Sequence, residues 1–213
     1  MTLDGLPRLG VQLSTLRDSI KDLNGLIPRL AADGFEVVKP DDLAKLLADN
    51  GMVAPSGHVS LGRDGHLPDA SLDALQAIGV DTAIVAFMPP DTFKDLDGVT
   101  RIAEKLAAAA QHAAARGMTL GYHNHFWELA PIDGRVALIE LFERAGPGLV
   151  AEIDTYWAQV GGADPAVLVA ELGERVRFLH VKDGPADTHE SDMVAVGAGA
   201  IDVPEILSAN PAV

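Results

Sequence analysis

Cysteine is absent from the 213 residues. That excludes disulfides and thiolate metal sites, and it suits a reducing, cytoplasmic setting. Long apolar runs are absent too. The opening stretch MTLDGLPRLGVQL holds none of signal-peptide or membrane-span length, and the Ala-rich run near Leu106–Ala115 is broken by Gln111 and His112. Positive charge is scarce: 16 Lys and Arg stand against 31 Asp and Glu, a formal net charge of −15. Such a charge repels phosphate backbones, so a nucleic-acid partner is disfavoured. The usual nucleotide-cradling patterns are also missing. No G-x-G-x-x-G follows an expected strand, and no G-x-x-x-x-G-K-[ST] occurs.

What is present is an alternation of short β-rich runs with longer amphipathic segments. The 48% hydrophobic content suffices for a single domain over residues 1–213. Strands are expected at Leu9–Leu13, Phe35–Val38, Val53–Leu61, Thr82–Phe87, Thr119–His125, Leu149–Ile153 and Val176–Val181. Between them run helical patterns. Ile20, Leu23, Ile27 and Leu30 share one face ahead of Gly34, and Leu43, Leu46 and Leu47 precede Asn50-Gly51. Further helices are expected at Leu72–Ile78, Val99–Arg116, Val136–Ala145 and Pro165–Leu172, with another beginning at Pro204–Leu207. Asp41-Asp42 reads as a helix start favoured by the dipole. Regular β-then-α alternation implies a parallel sheet with helical crossovers. Without nucleotide-binding signals, a (β/α)8 TIM barrel is expected rather than a doubly wound sheet. A full barrel has eight units in about 250 residues. Seven are counted here, so the barrel is expected to be incomplete, its eighth strand missing.

Polar residues gather at the C-terminal ends of the expected strands, where barrel enzymes build their sites. Strand three ends in Ser56-Gly57-His58, strand five in Tyr122-His123-Asn124-His125, strand six in Glu152-Ile153-Asp154, and strand seven in His180-Val181-Lys182-Asp183. Side chains alternate along a strand. His123 shares a face with His125, Glu152 with Asp154, and His180 with Lys182; the pairs converge if that face lines the lumen. Imidazole with carboxylate suits Mn, Co, Zn or Fe, and Mg with more oxygen ligands. A lone strand-end histidine is more often structural, but three polar clusters on three consecutive strands are harder to explain that way. His66, His112 and His189 read as surface residues. Trp127 and Trp157, just past strand ends, suit either a sugar-binding floor or packing.

At these motifs the chain resembles the sugar phosphate isomerase/epimerase branch of the xylose-isomerase-like barrel superfamily. The matching stretches are GVQLSTLRD at 10–18, GYHNHFWEL at 121–129, EIDTYWAQVGG at 152–162, LHVKDG at 179–184 and VGAGAIDVPEIL at 196–207. The resemblance implies one divalent metal, typically Mn, Co or Mg, with Zn an alternative, held by groups on strands five to eight. It assigns Asp154 and His180 as ligands. The strand-five ligand, usually glutamate, falls on His123, with Glu128 a second choice. The strand-eight ligand, usually glutamate, would lie beyond the residues given. Lys39 and Gly197-Ala198-Gly199 stand where relatives often carry Glu and Gly-Glu-Gly.

The expected activity is a sugar, sugar phosphate or keto-sugar isomerase or epimerase working by proton transfer through a metal-stabilised enediolate. Glu152 is the expected base, with His125 next, and Lys182 would hold the developing oxyanion. His58, Trp157 and Asp183 would bind substrate. A metal-dependent lyase of the inosose dehydratase or keto-glycoside eliminase type is the alternative. A non-catalytic relative is a third reading, favoured by the missing strand and Lys39. The expected partner is a small-molecule sugar, with no membrane and with self-association into a homo-oligomer left open.

Overall fold

The computed structural model describes residues 8–12, 21–33, 43–62 and 64–210. The expected strand at 9–13 is described as far as residue 12 and is irregular there. The strand expected at 35–38 and the Asp41-Asp42 pair lie outside the described residues.

The chain divides into two compact units, residues 1–57 with 68–83 and residues 58–67 with 84–213. In the first, Asp22 accepts the Gly25 N–H at 3.0 Å and starts α1 (Leu23–Ala32), which buries Ile27 and Leu30. Helix α2 (Leu43–Asp49) is closed by Gly51 at φ 68°, a left-handed turn that glycine takes without Cβ strain. Helix α3 (Asp69–Gln76) buries Leu72 and Leu75.

The second unit holds the longest helix, α4 (Leu96–Ala115), capped by Asp95 on the Gly98 N–H at 2.7 Å. Val99, Ile102, Leu106, Ala109, Ala110 and Ala113 form its buried stripe at helical spacing. That stripe packs on α5 (Ala137–Ala145) and on β3 (Thr119–His123), around Leu106, Leu120, Tyr122, Leu138 and Phe142. Helix α7 (Pro165–Leu172) begins with Pro at N1 and the Asp164 cap, and it packs on α8 (Val203–Ala209).

The main sheet has five strands among the described residues: β1 (Ser56–Val59), β2 (Thr82–Val85), β3, β6 (Leu149–Asp154) and β7 (Val176–His180). Their order, β1-β2-β3-β6-β7, follows the chain without the reversal that marks a doubly wound sheet. The pairs β3–β6 and β6–β7 are parallel. β2 is buried at all four positions, as a strand covered on both faces should be.

A hairpin and a short helix lie outside the sequence reading. β4 (Pro131–Ile132) and β5 (Arg135–Val136) form a small antiparallel hairpin whose turn residues Asp133 and Gly134 have φ 51° and 84°. Helix α6 (Thr155–Val160) follows β6 directly, so Asp154 is both the last strand residue and the helix cap. Among the described residues no helix is long and apolar enough to cross a membrane.

Candidate active site

Strand register brings the polar strand ends together. On β3 and β6, His123 stands opposite Glu152; on β6 and β7, Asp154 stands opposite His180. The second pairing depends on an irregularity. Ala151 faces Val176, but Glu152 faces Phe178, so β7 carries one extra residue, Arg177, at that point. Were the register unbroken from Val176 onward, Leu179, not His180, would stand opposite Asp154.

The side chains converge on two carboxylate oxygens. Glu152 Oε1 lies 2.7 Å from His58 Nε2 and 3.0 Å from His123 Nδ1. Asp154 Oδ2 lies 2.7 Å from Lys182 Nζ, 3.6 Å from His180 Nδ1 and 3.8 Å from His123 Nε2. Asp154 is 0% exposed. Its other oxygen, Oδ1, accepts the Trp157 N–H at 2.9 Å.

Burial pushes the Asp154 carboxyl up, opposed by the Lys182 and His123 charges. Burial also acts upward on Glu152, but hydrogen bonds from His123 and His58 outweigh it and leave that carboxyl low. His180 is lowered to about 3, by burial first and then by Lys182 and His123. His125 is lowered to about 4, by burial and then by His123 and Lys182. Near neutral pH the site therefore offers ionised Glu152 beside neutral His125 and His180 imidazoles. Neutral imidazole is the ligating form of histidine.

Two residue sets place ligand atoms within 4.8 Å of one another: His58, His123 and Glu152, and His123, Asp154 and His180. The second fits a divalent cation better. Asp154 Oδ2 lies 3.6 Å from His180 Nδ1 and 3.8 Å from His123 Nε2, neither a hydrogen bond, and His180 Nδ1 is buried without a hydrogen-bond partner. Glu152 Oε1 is instead hydrogen-bonded to His58. Buried imidazole nitrogens that face a buried carboxylate without a hydrogen bond are uncommon, and this arrangement fits an ion site.

An aromatic wall flanks these groups. His125 stacks on Trp127 at 4.5 Å, and Phe87 meets the two rings edge-on at 5.7 and 5.6 Å. Phe126 bridges Trp127 and Trp157, at 5.1 and 5.8 Å. Lys182 Nζ lies 5.4 Å above the Trp157 ring.

Of the nine expected site residues, His58, His123, Glu152, Asp154, His180 and Lys182 share the two carboxylate centres. His125 and Trp157 border them. Asp183 is placed differently. It is buried, and its carboxylate accepts the N–H groups of Gly184, Gly197, Gly199 and Ile201 at 2.8 to 3.1 Å. Burial acts upward on its pKa, but those four hydrogen bonds hold it below the usual value. Asp183 therefore anchors the loop that follows β7, with both oxygens engaged.

Sequence reasoning overlooked Asn124. Its Oδ1 accepts the Asp154 N–H at 2.9 Å and its Nδ2 donates to the His125 carbonyl at 3.2 Å, so it ties the end of β3 to the end of β6. Its place between two histidines was the available signal. Glu128, the second-choice ligand, lies in neither ligand set. It is 0% exposed, takes the Tyr122 hydroxyl at 2.7 Å and the His125 N–H at 3.0 Å, and is raised to about 7 by burial. Of the three histidines read as surface, His66 is exposed and pairs with half-buried His112 at 5.0 Å; His189 is exposed but stacks on Phe126 at 4.9 Å.

Comparison with known proteins agrees with this architecture. A family model described as xylose isomerase-like TIM barrel matches residues 28–209. A curated relative, the 2-epi-5-epi-valiolone 7-phosphate 2-epimerase of Actinoplanes sp., is 33% identical over 131 residues. That match covers 61% of this chain and 46% of the relative, less than half its length. Among solved structures, a sugar phosphate isomerase/epimerase from Parabacteroides distasonis superposes with a TM-score of 0.79 at 19% identity, covering 94% of this chain and 81% of that one. The probable 3-DHS dehydratase involved in petrobactin synthesis from Bacillus anthracis gives 0.66 at 14% identity, covering 87% and 82%. An L-ribulose 3-epimerase gives 0.58 at 18% identity, covering 87% and 71%.

Proposed function

We propose that this chain, which belongs to the xylose isomerase-like TIM barrel family, is a metal-dependent isomerase or epimerase of a sugar, sugar phosphate or keto-sugar. The observation that carries the reading is the meeting of His123, Asp154 and His180, whose ligand atoms lie within 4.8 Å of one another, with His180 Nδ1 buried and without a hydrogen bond. The similarity to a curated epimerase supports the reaction class.

A divalent ion held by those three residues, Mn, Co or Mg with Zn as an alternative, would supply Lewis acidity towards adjacent substrate oxygens. The remaining work falls to the chain. Glu152, kept ionised by His58 and His123, accepts the proton from the carbon beside the carbonyl. It returns that proton to the neighbouring carbon in an isomerisation; in an epimerisation a proton reaches the same carbon from the opposite face. His125, neutral and beside His123, is the second acceptor. The Lys182 ammonium holds the developing oxyanion. His58 and Trp157 orient the sugar, whose C–H face packs on the indole.

Elimination of water begins with the same proton removal, so a dehydratase would use the same residues. A structural neighbour described as a probable dehydratase keeps that reading open. Product mass separates the two: unchanged for isomerisation, lower by one water for elimination.

The test uses Asp154→Asn and His180→Ala, read by bound metal and by solvent deuterium entering ketose substrates. Both signals are expected to be lost. Retention of both by either variant overturns the proposal.

A further inference from the structure

The oxygen that completes the His123–Asp154–His180 set is the oxygen that holds Lys182. Asp154 Oδ1 is committed to the Trp157 N–H at the start of α6. Oδ2 is the oxygen that faces His123 and His180, and Lys182 Nζ stands 2.7 Å from it. A cation bound by Asp154 in this set would meet the ammonium at the same oxygen, like charge against like charge. We infer that Lys182 and the divalent ion are alternative cations at Asp154 Oδ2, so that metal entry displaces the lysine and frees its ammonium for the substrate. This inference rests on the metal-site reading above.

Three features support an exchange rather than a fixed pair. A fully buried carboxylate needs a counter-charge before any metal arrives, and Lys182 provides it without filling the histidine positions. A dication brings more charge to the same oxygen and repels the ammonium. The lysine also has somewhere to go. Its Nζ already lies 5.4 Å above the Trp157 ring, a face that attracts cations, and its side chain is 23% exposed.

A lysine suits this role better than an arginine. Its ammonium is a compact point charge on a flexible four-carbon stem, whereas a guanidinium would hold the carboxylate with a rigid fork. The backbone on its C-terminal side is held still, because Asp183 is fastened to the backbone of residues 184–201. The movement is therefore confined to the side chain. One consequence is an order of events, with metal before sugar. Another is that Lys182 weakens metal binding by competing for the oxygen.

The test is calorimetric titration of the sugar-free chain with Mn(II), comparing wild type, Lys182→Met, Lys182→Arg and Asp154→Asn. Lys182→Met is expected to bind Mn(II) at least about tenfold more tightly than wild type, and Lys182→Arg no more tightly than wild type. Asp154→Asn is expected to lose binding. A second measurement needs no lysine variant: reductive methylation of Lys182 in the wild-type chain should accelerate when Mg(II) is added. If Lys182→Met binds no more tightly and methylation is indifferent to metal, the exchange is wrong while the metal site stands. If Asp154→Asn keeps its metal, the metal-site reading fails, and the exchange with it.

Discussion

Glu152 Oε1 lies between two imidazoles, 2.7 Å from His58 Nε2 and 3.0 Å from His123 Nδ1. The carboxylate is thereby aimed and held ionised. Glu152→Gln keeps the size of the side chain and removes its basicity. Solvent-proton exchange into substrate should fall by about 10²- to 10⁴-fold, while bound metal stays at wild-type stoichiometry. Loss of metal in this variant would make Glu152 a ligand rather than the base.

Metal should stabilise the fold in proportion to its binding. Ion present at about 100 times its dissociation constant adds roughly 2.7 kcal/mol and raises Tm in thermal melts. His180→Ala should show little of that rise. An equal rise in wild type and variant would place the ion elsewhere.

Glu128 should give stability an unusual pH dependence. Its carboxyl is raised to about 7 in the fold, against 4.5 ordinarily. The folded chain therefore binds the extra proton between those values, and its stabilising effect is lost as pH rises through that window. The full effect is on the order of 3 kcal/mol. Glu128→Gln, which cannot titrate, should flatten the dependence. Melts at pH 5 and pH 8 check this, and parallel curves for the two proteins would exclude Glu128 as the source.

Phe87 is 50% exposed yet edge-on to His125 and Trp127. Phe87→Ala should change stability by less than about 0.5 kcal/mol. If the wall packs against substrate, KM should rise about 2- to 10-fold with metal affinity unchanged. Unaltered KM would remove Phe87 from the binding surface.

Gly199 has no room for a side chain. A methyl group there would overlap Asp183 Oδ1 and the backbone N and O of Gly184. Gly199→Ala should destabilise the chain by about 1–3 kcal/mol and release the loop after β7. Hydrogen exchange at Gly197 and Ile201 would report that release, and unchanged protection there would argue against the Asp183 anchor.

Much of this was legible in the residues. The helix stripe of α4, the Asn50-Gly51 stop after α2, and the two-residue alternation of Glu152 with Asp154 and of His180 with Lys182 are local properties. They follow from backbone period and capping chemistry within a few neighbouring residues. The family motifs likewise pointed to the strand ends whose polar side chains converge. The Asp133-Gly134 turn was a readable hairpin signal that the longer β/α rhythm obscured. Asn124 was visible as a residue but not as a clamp, because its partner, Asp154, lies 30 positions away.

The sequence alone determined which side chains share a face of each strand, because that alternation is local to a single strand. It could not determine which faces meet. The extra residue Arg177 in β7 sets His180 rather than Leu179 against Asp154, through hydrogen bonds between strands distant in the chain. The same holds for Lys182: its charge is plain in the sequence, but its place on Asp154 Oδ2 exists only once β6 and β7 are aligned side by side.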